Sequence, residues 1–351
     1  MWESQIRELM NKGEKTTALE EINSKLETDP TSKKALLLKA EIYIPQELTK
    51  AIKIYKKVIT FYEEKEDLET QVNIVSYIGD LYRNLDKQGE AEQYYEKALS
   101  KFNLYEKPLN DDLREIIVSC LSNLIEITEM NKKYEKTIKY YKKIIEIHQN
   151  SGLMEGLIQD FIDLGNFYFK TQDYKKAYKN YTIALNVCLD IEDYYNEPTI
   201  HFNISNALTQ MKNYELAAEE VKKCIDGIDR LEGEDEYTFI YQDAKEIIKI
   251  IVTNLFQQIE DLIKQRKFNR SKKILKKIEA IQRDQNNYQI RAEIYYFKSK
   301  IAFNSNDSRS AKENLQKSIE FLKRMKSYKD QEIYRRVKTL LEEMKKEERK
   351  K

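Results

Sequence analysis

Apolar residues recur along this chain at helical spacing, in pairs of stripes separated by short polar turns. In residues 163–185, "DLGNFYFKTQDYKKAYKNYTIAL", Gly165 and Tyr168 lie three apart on one face of a first helix. After the turn, Ala177, Tyr181 and Ala184 lie four and three apart on one face of a second helix. Residues 77–99, "YIGDLYRNLDKQGEAEQYYEKAL", repeat the pattern with Gly79, Tyr82, Ala91, Tyr95 and Ala98. A glycine inside a helix costs about 1 kcal/mol against alanine. Close approach of the second helix would offset that cost, and the pattern offers Ala177 as the small surface opposite Gly165.

The small residue of the second helix recurs as Ala18, Ala51, Ala91, Thr137, Ala177, Ala217, Ser271 and Ala311, with gaps of 33, 40, 46, 40, 40, 54 and 40. Four residues after each stands a larger side chain: Ile22, Tyr55, Tyr95, Tyr141, Tyr181, Val221, Leu275 or Leu315. At that spacing the tyrosines belong to a core and need no ligand. The 54-residue gap predicts one long first helix over residues 234–265, after a break in the apolar pattern near 227–234. Near the C-terminus Ile333, Val337, Leu340, Leu341 and Met344 form one stripe, which predicts a helix capping the last pair, with 345–351 frayed.

These helical hairpins resemble the tetratricopeptide repeat, a hairpin with Trp, Leu, Gly, Tyr, Ala, Phe, Ala and Pro at fixed offsets. Trp2, Ala18 and Pro30 fall at the family's Trp, first Ala and Pro positions. The resemblance implies an all-α fold, a right-handed α-α superhelix of about eight hairpins plus a C-terminal capping helix. The ordinary period is 34 residues. The 40-residue spacing is similar to that of the peptide-sensing regulators of Gram-positive bacteria and the kinesin light chain class.

Composition narrows this further. Eight Gly and four Pro in 351 residues are too few for a β-sandwich or a doubly wound sheet. No apolar run is long enough to span a membrane, and the N-terminus lacks the apolar core of a signal peptide. Cys120, Cys188 and Cys224 are odd in number and widely spaced, which predicts buried thiols in a reducing, cytoplasmic setting.

Charge is unevenly spread. Residues 261–351 carry 27 Lys and Arg against 13 Asp and Glu, a net of +14, whereas residues 1–260 carry 34 against 47, a net of −13. This predicts an acidic array of about six repeats over residues 1–230 and a basic region over 235–351 that holds the long helix and the capping helix. Arg266, Lys267, Arg270, Lys272, Lys273, Lys276 and Lys277 cluster in one turn and second helix. Without aromatic or Gly-rich stacking elements, such a patch favours an acidic protein surface, or the acidic half of another copy, over nucleic acid.

Catalytic signals are poor. The two histidines, His148 and His201, cannot assemble a metal site with these cysteines, and no Gly-rich phosphate loop is present. No enzyme activity, metal or cofactor is expected. His201 shares the repeat position of Trp2, Phe161 and Tyr295, which predicts a packed interhelical residue. The family resemblance places the first helices along a concave groove, with the residue after the glycine position pointing into it. That position holds Asp80, Glu126, Asn166, Asn206 and Glu260; Asn123 and Asn203 lie three residues earlier on the same face in their own repeats. Carboxamides suit the backbone of an extended peptide because each offers a donor and an acceptor. Phe169, Phe202 and Gln210 adjoin them, and Lys170 and Arg83 are the candidates for a carboxylate clamp, whose full set is not present. The expected function is a protein-interaction scaffold that binds a peptide or helix of a partner in the groove. One alternative is a peptide-sensing regulator of the quorum-peptide receptor type; since the first repeat begins at Trp2, its effector would be a separate chain. The other is binding of an acidic partner or nucleic acid through the basic third.

Overall fold

The computed structural model describes residues 2–62, 67–231, 238–282, 287–326 and 328–349. They form seventeen α-helices and one 3-10 turn, with no strand among them. The chain divides into two compact units, Met1–Leu153 and Met154–Lys351.

The first unit holds four hairpins. These are α1 (Trp2–Asn11) with α2 (Lys15–Thr28), α3 (Lys33–Tyr43) with α4 (Leu48–Ile59), α5 (Leu68–Arg83) with α6 (Gln88–Phe102), and α7 (Asp111–Met130) with α8 (Tyr134–Ser151). The second unit holds four more. They are α9 (Met154–Lys170) with α10 (Tyr174–Asp190), α11 (Glu197–Gln210) with α12 (Tyr214–Arg230), α13 (Thr238–Lys264) with α14 (Phe268–Ile281), and α15 (Tyr288–Asn304) with α16 (Ser308–Lys323). A last helix, α17 (Glu332–Glu348), packs on α15 and α16. Within each unit a hairpin's second helix packs both on its own partner and on the first helix of the next hairpin. This is the stacked all-α architecture expected from the repeat.

The eight small residues are the pivot of this packing. Each is the fourth residue of its second helix, and each is fully buried. Seven of the eight turns are also alike. Gly13, Asp86, Lys132, Gln172, Lys212, Arg266 and Asn306 have positive φ, and each stands five residues before the small residue. The next amide reaches back to the first helix, as in Lys133 N to Thr128 O at 2.8 Å and Asn213 N to Leu208 O at 2.8 Å. A left-handed residue followed by this long backbone bond is the Schellman end of a helix, and it satisfies carbonyls that the helix leaves open. The turn between α3 and α4 departs from it: Glu47 N bonds Tyr43 O at 2.7 Å.

Helix α13 has 27 residues, as the 54-residue gap requires. The expected start of this helix at 234–237, and residues 232–234 of the expected break at 227–234, lie outside the described residues; Gly227 itself is still within α12. Helix α17 buries Ile333, Val337, Leu340 and Met344, as predicted, with Leu341 half-buried. It continues through Glu348, so residues 345–348 are helical where fraying was expected. The change in charge sign near residue 260 falls inside the second unit.

Candidate functional site: the first-helix face

The site begins with the glycine that opens a first helix to its partner. A Cβ on Gly165 would stand 2.4 Å from Tyr181 Cε1, and one on Gly79 would stand 2.6 Å from Tyr95 Cε1. The ring of Tyr181, not Ala177, therefore occupies the space that Gly165 provides. The ring is bulkier than the expected alanine surface, and it needs the missing side chain more. Each hydroxyl then passes the glycine and donates to the residue after it: Tyr95 to Asp80 Oδ1 at 2.7 Å, and Tyr181 to Asn166 Oδ1 at 2.8 Å. In two hairpins whose second helix offers a smaller side chain, serine stands at the glycine position. Ser205 stands in the hairpin of Val221, and Ser299 in that of Leu315; they donate to Ala217 O at 2.9 Å and Ala311 O at 2.7 Å. Ile125 fills the position in the fourth hairpin. There Tyr141 is only half-buried and bonds Glu129 instead, while Tyr140 takes the buried place.

In the first unit, Asp80, Arg83 and Asn123 come together. Asn123 Nδ2 donates to Tyr95 Oη at 3.1 Å and to Asp80 Oδ1 at 3.3 Å. Its Oδ1 accepts from Arg83 Nη1 at 3.0 Å, and Arg83 Nη2 pairs with Glu126 at 2.7 Å. Burial pushes the Asp80 carboxyl above the usual carboxylate range, although the Tyr95 hydroxyl and Arg83 act against it. The Asn123 amide thus joins α7 to α5 and α6.

In the second unit the carboxamides are placed differently. Asn166 is exposed at its outer side and holds the Tyr181 hydroxyl. Phe169 is half-buried with its ring edge-on to Tyr174 at 5.3 Å, and Lys170 is exposed. Helix α11 buries Ile200, His201, Ile204, Ser205, Ala207 and Leu208. It leaves Thr199, Phe202, Asn203 and Asn206 half-buried and Gln210 exposed. Glu197 is its one acidic residue, in a chain that is 34% charged. Four other helical asparagines fold back on their own helix. Asn180 donates to Lys176 O, Asn254 to Ile250 O, Asn304 to Lys300 O and Asn314 to Ser310 O, at 2.7–2.8 Å. Asn203 and Asn206 make no hydrogen bond with the described residues. The reason at Asn206 is local: its hairpin carries Val221 where α10 carries Tyr181, so no hydroxyl arrives.

Beneath this face His201 is buried between two carboxylates. Its Nδ1 lies 2.6 Å from Glu220 Oε2, and its Nε2 lies 3.7 Å from Glu197 Oε1. Lys223 reaches Glu220 at 2.8 Å and Arg230 reaches Glu197 at 3.0 Å. Burial raises the Glu220 carboxyl, but the hydrogen bonds from His201 and Lys223 outweigh it and hold the group below its usual range. The expected packed histidine is also a hydrogen-bonded link between α11 and α12. Further along, Lys300 pairs with Glu260 and Arg336 Nη2 stands 3.7 Å from the same carboxylate, its guanidinium over the Tyr296 ring at 4.6 Å. Lys300 follows Glu260 by 40 residues, so the repeat spacing marks it, whereas Arg336 lies on the capping helix beyond the repeat.

The seven basic-patch residues divide into two sets. Arg270 pairs with Glu215, and Lys277 with Glu215 at 3.1 Å and Glu219 at 2.8 Å, all on α12. Arg266, Lys267, Lys272, Lys273 and Lys276 are exposed and make no ion pair with the described residues. Burial pushes the thiols of Cys120, Cys188 and Cys224 up to about 12, which leaves them protonated and unreactive at neutral pH.

Two family models match the chain. The tetratricopeptide repeat matches residues 78–100 and 198–226, which hold the Gly79–Tyr95 pair and the α11–α12 hairpin. The C-terminal domain of the HTH-type transcriptional regulator Rgg matches residues 231–336. Among characterised proteins, response regulator aspartate phosphatase I of Bacillus subtilis (strain 168) is 24% identical over 173 residues, 49% of this chain and 42% of that protein. The intraflagellar transport protein 88 homolog of Homo sapiens is 26% identical over 143 residues, 40% of this chain and 16% of that protein. The matched stretches thus span less than half of either relative. Among solved structures, the apo form of RapI has a TM-score of 0.48 at 15% identity, covering 87% of this chain and 80% of that one. BtubC (BKLC) from P. vanneervenii has a TM-score of 0.44 at 18% identity, covering 67% and 93%.

Proposed function

We propose that this tetratricopeptide-repeat chain is a protein-interaction module whose first-helix face in the second unit, centred on α11, binds an extended peptide or a helix of a partner. The observation that carries this reading is the pair of unengaged carboxamides, Asn203 and Asn206, on a nearly uncharged helix face. Each carboxamide can accept from a peptide N–H and donate to a peptide C=O. Phe202 beside them supplies apolar contact, and the lack of charge keeps the cost of displacing water low. Asn166 and Gln210 extend the strip, with Phe169 and Lys170 at its border. In the first unit Asp80, Arg83 and Asn123 already bond one another, so their part in binding would be secondary.

A second, narrower reading is a peptide-sensing regulator. The match of residues 231–336 to the C-terminal domain of the Rgg transcriptional regulator favours it. Binding of a peptide would then shift the second unit between states.

Capture from native lysate tests the first reading. The Asn203→Ala/Asn206→Ala variant is expected to capture the specific partner about tenfold less well, the equivalent of roughly 1.4 kcal/mol. Asn254→Ala, which removes an amide bonded to its own helix, is expected to capture it normally. Equal capture by all three proteins, with loss instead in Lys272→Glu/Lys273→Glu, would move the site to the basic face.

A further inference from the structure

The loop between α10 and α11 is built to hold apolar side chains outward. Tyr194 is 53% exposed and Tyr195 59%, with Leu189 and Ile191 beside them also exposed. The loop is nonetheless internally fixed. Asp193 Oδ1 accepts from the amides of Tyr195 at 3.1 Å and Asn196 at 3.2 Å, and its Oδ2 accepts from Asn196 Nδ2 at 2.6 Å. The Cys188 thiol donates to Asp193 O at 3.0 Å. A contact made through side chains already held in place loses little further freedom. Tyr194 and Tyr195 also border a cavity of about 400 Å³ with Gly227, Arg230 and Leu231. Four acidic residues and no basic one occur in residues 188–198, and Asp190 and Glu192 are exposed without an ion pair to the described residues.

The chemistry that fits exposed tyrosines inside an acidic rim is a lysine- and arginine-rich helix face. Aliphatic stems cover the rings, cations lie over their faces, and the rim carboxylates pair with the remainder. The same unit carries such a face in Arg266, Lys267, Lys272 and Lys273, which make no contact ion pair with the described residues, although the charge of Lys272 is felt by Asp307. The wider charge agrees: residues 154–260 carry 10 basic and 20 acidic residues, net −10, against net +14 in 261–351.

The two surfaces cannot meet within one copy. The loop cavity is lined by Arg230 and Leu231 at the C-terminal end of α12, while Arg270 is tied to Glu215 near the N-terminal end of α12. The 17 residues of α12 separate these ends by about 25 Å. We propose that two copies associate through unlike surfaces, the Tyr194–Tyr195 loop of one seated on the basic N-terminal half of α14 of the other.

Sedimentation velocity tests this. At about 50 mM salt the protein is expected to self-associate with increasing concentration, at least tenfold more weakly at about 500 mM, because exposed charges are then screened. Tyr194→Ser/Tyr195→Ser and Lys272→Glu/Lys273→Glu are each expected to sediment as monomers with unchanged circular dichroism. An equimolar mixture is expected to recover a heterodimer, since each variant retains the surface that the other lacks. A monomeric wild type at low salt, association surviving in either variant, or a mixture that stays monomeric would each overturn the proposal.

Discussion

Gly165→Ala is expected to lower the stability of the second unit by about 2 kcal/mol, although alanine is the better helix former by about 1 kcal/mol. The new Cβ would stand 2.4 Å from a ring carbon of Tyr181, closer than such atoms come. The ring cannot swing clear cheaply, because it is buried and its hydroxyl is held by Asn166 at 2.8 Å. Tyr181→Leu alone is expected to cost about 2–3 kcal/mol, through the lost ring volume and hydroxyl bond. The two changes should not add. Gly165→Ala/Tyr181→Leu is expected to be no less stable than Tyr181→Leu, a coupling of about 2 kcal/mol. The chain already contains similar solutions in Ser205 with Val221 and Ser299 with Leu315. Urea unfolding of the four proteins measures the cycle, and strict additivity would mean that ring and glycine do not share one space.

His201→Ala is expected to cost about 3 kcal/mol near neutral pH, because it leaves the Glu220 carboxylate in a half-buried site with Lys223 as its remaining partner. The pH dependence follows from the direction of the Glu220 shift. Its folded carboxyl titrates below the usual range, so it contributes stability above the unfolded carboxyl value of about 4.3 and loses it as pH falls through the folded value. The gap between wild type and His201→Ala should therefore be present above the unfolded carboxyl value and shrink on acidification below about pH 4. His201→Ala/Glu220→Leu is expected to recover most of the loss, since an apolar pair removes the stranded charge. Thermal unfolding from about pH 3 to pH 8 checks both statements, and a gap independent of pH would contradict them.

Periodicity made the architecture readable from the residues alone. A small side chain every 40 or so positions has to occupy one repeated place, and all eight do so at the fourth residue of a second helix. The contents of that place were less legible. Gly165 and Tyr181 were both visible, but spacing along single helices matches glycine to the nearest small residue and says nothing about a ring reaching across the hairpin. The usable signal was co-occurrence: glycine stands with tyrosine in two hairpins, and serine with valine or leucine in two others.

The same gap explains why positions that are equivalent by repeat differ in the structure. Asn166 and Asn206 share a register, yet one is tied to a hydroxyl and the other is not, because Tyr181 and Val221 differ. Asn123 reads as a groove residue by spacing, but Asp80, Arg83 and Tyr95 come from the preceding hairpin and use its amide. The hydrogen bond of His201 to Glu220 was hidden for a similar reason. Its partner stands 19 residues on, in another helix, where helical periodicity cannot connect them.

The most direct test of the proposed site places a photo-crosslinking amino acid at one position at a time, at Asn206 on α11, at Asn186 on the second helix α10, and at Lys273 on α14. If the α11 face binds the partner, crosslinked partner forms from position 206 and not from 186 or 273, and excess unlabelled partner peptide abolishes it. Crosslinking from 186 or 273 with none from 206 would contradict the account.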